Sequence, residues 1–135
     1  MPKYKQIFMQ QLNERRIAFS DFNETTVRIV YSGNNLKTIP VYISFDKDDE
    51  CNCELFCFDI ANFSEKVGEG LVLCNQLNEE YRWVRFYLDD DEDLFVASDG
   101  DFGANFVCDD NLVNIQRLVN AIDLAYPAIC EELYG

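Results

Sequence analysis

Histidine does not occur anywhere in the 135 residues. Its absence removes Ser-His and Cys-His nucleophile pairs and leaves any acid–base chemistry to carboxylates, Lys or Tyr. The six cysteines, at 51, 53, 57, 74, 108 and 130, contain no CxxC pair, so the commonest zinc spacings are missing as well. Basic residues are scarce: 11 Lys and Arg against 25 Asp and Glu leave a net charge of −14. A carboxylate-dominated surface repels phosphate, which makes nucleic acid and anionic membrane poor partners. "GEG" at 68–70 falls inside a helical pattern and "GDFG" at 100–103 lacks a following Lys, so neither is a phosphate loop. No apolar run approaches the ~18 residues of a membrane span, and no charged segment followed by an apolar one opens the sequence. A cytoplasmic location is expected.

What is present is apolar and aromatic. Hydrophobic residues make up 48% and aromatics 14%, with eleven Phe and seven Tyr. That is enough for one core, and residues 1–135 are expected to form a single domain. The aromatic supply is generous, and either a Phe-rich core or an interface could absorb it. Charge is unevenly placed. Residues 1–42 carry six Lys/Arg against three Asp/Glu, whereas residues 43–135 carry five against twenty-two.

Periodicity gives the element order. Pro2 suits the first turn of a helix reaching about Arg16, with Ile7, Phe8, Leu12 and Arg15 inward. A short extended piece, "IAFSDF", follows. "TTVRIVYS", "TIPVYISF" and "CNCELFCFDI" then alternate as strands joined by "GNN" at 33–35 and "DKDDE" at 46–50. Pro40 points to an edge position or a strand start. From Asn62, with Glu65 as a capping-box partner, Phe63, Val67, Leu71, Cys74, Leu77 and Tyr81 repeat at helical spacing. Gly68 and Gly70 within that stretch suggest close packing. "WVRFYL" and "LFVAS" are strands, and a last helix capped by Asp109 or Asp110 carries Leu112, Ile115, Leu118, Val119, Ile122, Tyr126, Ile129 and Leu133 inward, kinked at Pro127. The order α-βββ-α-ββ-α is an α+β fold, an antiparallel meander plus a hairpin with three helices.

Two features test for ligand chemistry. The acidic run Asp89–Asp93 places Asp at positions 1, 3 and 5 of a calcium loop. Position 6, however, is Leu94 rather than Gly, and position 12 is Gly100 rather than Glu. It reads as the turn of a hairpin, with 99–101 as a second acidic turn. Cys51, Cys53 and Cys57 share a strand face with Leu55, while Cys74 and Cys130 fall on helical stripes, the pattern of buried thiols in a reducing compartment. Neither metal nor cofactor is expected, and no catalytic constellation stands out. A pair of carboxylates acting as an enzyme would need a deep pocket.

Several strands are apolar on both faces: Leu55 and Cys57 against Phe56 and Phe58, and Val84, Phe86 and Leu88 against Trp83 and Tyr87. Three helices are too few to cover both sides of a five- or six-stranded sheet, so a second copy or a client protein is expected on the remainder. Trp83, Tyr87, Phe56 and Phe58 are the candidate contact residues.

The segment "LVLCNQLNEEYRWVRFYLDDDEDLFVASD", Leu71 to Asp99, resembles the central part of the YbjN-like family of bacterial proteins. Both have a helix with spaced Asn residues (Asn75 and Asn78 here), a strand, an acidic turn and a second strand. The resemblance implies the fold of type III secretion chaperones, commonly homodimeric, and a role in sensory transduction regulation without catalytic residues. Asn75 and Asn78 are expected in packing or in helix-to-hairpin hydrogen bonds. The function expected is a non-enzymatic, chaperone-like or regulatory interaction module acting as a homodimer. The alternative is an ion- or small-ligand-responsive regulator using the acidic turns 89–93 and 99–101.

Overall fold

The computed structural model describes residues 2–47, 52–101 and 108–135. The elements in chain order are α1 (Lys3–Glu14), β1 (Ser20–Asp21), β2 (Thr26–Tyr31), β3 (Ile39–Phe45), β4 (Asn52–Cys57), α2 (Val67–Glu80), β5 (Arg85–Leu88), β6 (Leu94–Asp101) and α3 (Cys108–Tyr134). Six strands form one sheet in the order β1-β2-β3-β4-β6-β5, with every neighbouring pair antiparallel. The fold is α+β, with the expected order, and the short extended piece after α1 supplies β1. The 48–50 part of the expected acidic turn, Cys51, residues 102–103 and the side chains of Cys108 and Asp109 lie outside the described residues.

Side-chain alternation sorts the sheet into two unlike faces. Val27 and Ile29, then Ile39, Val41, Ile43 and Phe45, then Cys53, Leu55 and Cys57, with Phe86, Leu94 and Val96, are all buried on one face. Against it pack Phe8 and Leu12 of α1, Leu73, Cys74 and Leu77 of α2, and Ile115, Leu118, Ile122 and Ile129 of α3. Phe8 and Phe45 meet with ring centroids 5.9 Å apart. The three helices of the described residues therefore share one side of the sheet. Among these residues no helix is long and apolar enough to cross a membrane.

Local chemistry moves several boundaries. On α1 the third inward residue is Lys5, fully buried, rather than Arg15, which is exposed. Its ammonium donates to the Asp21 carboxylate and, at 2.6 Å, to the Asn23 carbonyl. A buried charge is tolerated because both partners are supplied by β1 and the turn after it. Helix α2 begins at Val67, not near Asn62, because Asn62 is engaged elsewhere and Phe63 tucks under the helix. A Cβ on Gly70 would lie 2.7 Å from the Phe63 ring, whereas one on Gly68 would meet nothing within 4 Å. Only Gly70 marks close packing.

Pro40 sits at the second position of β3, an interior strand, so the strand-start alternative holds and the edge alternative does not. The β2–β3 connection spans 32–38 and is clamped to α3. The Asp123 carboxylate accepts from the backbone N–H groups of Asn34, Asn35 and Leu36 at 2.8–3.0 Å. Gly33 is required there for want of a side chain rather than for a left-handed φ: a Cβ would stand 2.2 Å from Asp123 Oδ1. Helix α3 runs through Pro127. Proline has no N–H for the carbonyl four residues back, that of Asp123, and the Asn35 side-chain amide donates to that carbonyl instead, at 2.9 Å.

Candidate interaction surface

The face opposite the helices carries a continuous aromatic ladder. Cross-strand register aligns Arg28, Tyr42, Phe56, Ala97 and Arg85 in one row over five strands. One step along, Val30 opposes Pro40 and Phe95 opposes Tyr87, and the Phe58 ring lies 5.1 Å from Phe95 with an interplanar angle of 7°. One step the other way the row is polar: Thr26, Ser44, Glu54 and Asp99. The rings connect from Phe22 through Tyr42 (5.0 Å), Phe58 (4.9 Å) and Phe95 to Tyr87 (5.5 Å), with Phe56 stacked on Tyr42 at 5.4 Å. Pairs in this geometry are worth about 0.5–1.5 kcal/mol each beyond the area they bury.

Mutual stacking covers Tyr42 almost completely, but Phe22, Val30 and Tyr87 stay exposed. Arg28 holds Tyr42 from the side, its Nε donating to the hydroxyl at 3.3 Å. Arg85 reaches Asp99 at 3.4 Å. Burial, then the Glu54 charge, pushes the Tyr87 hydroxyl above its ordinary pKa.

Of the four candidate contact residues, Phe56, Phe58 and Tyr87 stand together on this face. Trp83 does not join them. It precedes β5, in the turn at 82–84, and its ring lies under the Arg117 guanidinium of α3, 5.3 Å from the charge. The parity that pairs it with Tyr87 applies only inside a strand. Tyr42, Phe95 and Phe22 complete the ladder and were not among the candidates. Tyr42 and Phe95 are legible in hindsight, since each alternates with buried aliphatics on its own strand.

The acidic run Asp89–Asp93 is the turn between β5 and β6. Asp89 Oδ1 accepts from the N–H groups of Asp91 and Asp93, both at 2.9 Å. Glu92 carries the positive φ of 60° that closes the turn. Asn62, read from sequence as a helix cap, instead donates to the Asp91 carbonyl and the Asp93 carboxylate at 3.0 and 2.7 Å. Residues 99–101 are not a second turn. They continue β6, with Asp99 opposite Glu54 and Gly100 opposite Cys53. Among the described residues no three Cys, Asp or Glu converge as metal ligands would.

Cys53, Cys57 and Cys74 are buried in the core. Burial, with the Asp59 charge, pushes the Cys57 thiol up to about 12, and burial pushes Cys74 to about 11. Thiols held protonated are poor nucleophiles and poor metal ligands. Asn78 of α2 makes the expected helix-to-hairpin contact: its Nδ2 donates to the Phe86 carbonyl at 3.0 Å, and the Phe86 N–H donates to its Oδ1 at 2.6 Å.

Among solved structures the fold is similar to "Crystal structure of YbjN, a putative transcription regulator from E. coli", with a TM-score of 0.64 over 88% of this chain and 85% of that one, at 12% identity. No curated protein sequence matches the chain. The family model of YbjN, described as "Putative bacterial sensory transduction regulator", matches residues 21–131, and the chain with its one-sided helical layer and acidic hairpin belongs to that family.

Proposed function

We propose that the chain is a non-enzymatic interaction module that works as a homodimer through its aromatic sheet face and presents the assembly to a protein client, in a chaperone-like or regulatory role. The observation that carries this reading is the ladder itself, an apolar belt across five strands with no helix over it among the described residues. An isologous interface needs a self-complementary patch. The belt is flanked by Arg28 and Arg85 on one row and by Glu54 and Asp99 on the next, so a second copy turned by a two-fold axis can set opposite charges against each other. The regulator descriptions of the family and of E. coli YbjN support the regulatory part. The absence of histidine and the protonated core thiols support a role without catalysis.

Light scattering behind a sizing column tests it. Wild type is expected at the mass of two chains. Phe58→Asp and Tyr87→Arg, both on the open face, are expected at one chain with unchanged far-UV circular dichroism. A wild-type mass of one chain at about 100 μM, well above the Kd of a standard-sized interface, refutes the homodimer.

A further inference from the structure

Trp83 raises a separate question, because the sequence's only tryptophan is left 72% exposed on the α3 side of the sheet. Folding gains little from an indole in water, and side chains of this kind dominate binding where they meet a partner. One side of the ring is held by Arg117. The ring borders a groove of about 330 Å³ between the 81–84 loop and α3, floored by Val84 and Ala121 and walled by Tyr81 and Leu124. Leu124 is itself 63% exposed.

The charge around the groove runs against the rest of the molecule. Only five Lys and Arg occur among residues 43–135. Three of them, Arg82, Arg85 and Arg117, border this groove or the hollow that adjoins it past Trp83. Asp99 engages Arg85, and Glu80 is the one carboxylate lining the groove itself. A local excess of guanidinium in a chain of net charge −14 calls for carboxylates, which arginine holds in a bidentate fork. The apolar floor calls for an aliphatic or aromatic side chain between them.

We propose that this groove is a docking site for an acidic peptide segment carrying apolar side chains, distinct from the aromatic sheet face. The apolar side chain lies on Val84 and Ala121 against the indole, and the flanking carboxylates meet Arg82 and Arg117. Because the groove is built on α3 and the sheet face lies opposite the helices, occupancy of one leaves the other open.

Trp83 emission reports the event directly, since a probe without tryptophan adds no signal. The probe is the acetylated, amidated peptide Asp-Asp-Leu-Phe-Glu-Asp, titrated into the full chain. A control peptide carries Asn and Gln in place of its acids. The expected result is a saturable emission change with Kd on the order of 10–100 μM at low salt, weakening about fivefold or more as exposed charges are screened by ~0.3 M salt. The control peptide is expected to bind at least about tenfold more weakly, and Arg117→Glu to cost a similar factor. Leu124→Asp, on the exposed side of α3, tests the apolar wall without touching the core and is expected to abolish the response. Equal binding of the neutral peptide, an unaltered Kd in both variants, or no emission change at ~1 mM peptide overturns the proposal. A concentration-dependent Trp83 shift without peptide, lost in Asp90→Asn/Asp91→Asn, also overturns it, because the occupant is then the acidic turn of a second copy.

Discussion

Replacing Asn78 with Ala removes both partners of the Phe86 backbone at once. Phe86 lies on β5, the edge strand, opposite Val96 of β6. Its N–H and C=O turn outward, away from β6, and both are bonded by the Asn78 amide at 2.6 and 3.0 Å. Each lost bond is worth about 1 kcal/mol net. Asn78 is exposed, so water reaches the vacated groups and the full desolvation penalty does not apply. The expected loss is therefore about 2 kcal/mol, close to thirtyfold in the folding equilibrium. Asn78→Asp keeps the acceptor but sets a carboxylate against the Phe86 carbonyl, and is expected to cost about as much or slightly more at neutral pH. Part of that loss should return below about pH 4, where a protonated carboxyl can donate again. Urea unfolding followed by circular dichroism measures the change, with the m-value unaltered, and hydrogen exchange at the Phe86 amide reads the same contact locally. A loss under about 0.5 kcal/mol, the range of neutral surface changes, together with undiminished Phe86 protection, refutes the assignment.

Gly68 and Gly70, two positions apart, should respond with opposite signs when each is replaced by Ala. Gly70→Ala drives a Cβ to 2.7 Å from the buried Phe63 ring and is expected to cost about 1–3 kcal/mol, whereas Gly68→Ala, with open space around it, gains up to about 1 kcal/mol. Equal effects in urea unfolding would show that Phe63 does not pack there. The backbone N–H groups of Leu36, Asn34 and Asn35 hold the Asp123 carboxyl below its ordinary 3.8. A depressed folded-state pKa stabilises above the unfolded value and is lost as pH falls through the folded one. Thermal unfolding should thus show the wild type losing its margin over Asp123→Asn between pH 5 and pH 2, and a constant margin would contradict the clamp. Iodoacetamide at pH 8 is expected to leave Cys57 and Cys74 unmodified in the native chain and to alkylate both in urea, because burial raises each thiol far above that pH. Rapid native labelling, read by mass spectrometry, would place them outside the core.

Period-two alternation was sufficient to place β2, β3 and β4 and to separate Phe56 from Leu55, because each strand buries one face under helices and leaves the other open. It failed where a residue's role is set by a distant partner. Lys5 was outside the expected inward face of α1, and it is buried because Asp21 and the Asn23 carbonyl close on it. Asn62 resembled a cap because Glu65 follows at the right spacing, yet its amide serves the acidic turn about thirty residues on. Residues 99–101 had turn-like composition, but pairing with β4 supplies their hydrogen bonds and extends the strand. Composition describes what a segment favours alone, and a waiting ladder overrides it. Trp83 shows the same limit from another side: parity predicts a face only while the backbone remains extended, and β5 starts two residues later.

The clamp of Asp123 on the β2–β3 connection also sets an order of assembly. Asn34, Asn35 and Leu36 are anchored by a residue 87 to 89 positions further along the chain, and Ile115, Leu118 and Ile122 of the same helix fill the middle of the core. During synthesis α1, the strands and α2 all emerge before α3, and until α3 follows, the middle of the helix-side face is uncovered and the loop has no anchor. Before that last helix docks, the growing chain therefore exposes part of the face that the finished fold buries, in addition to the aromatic one.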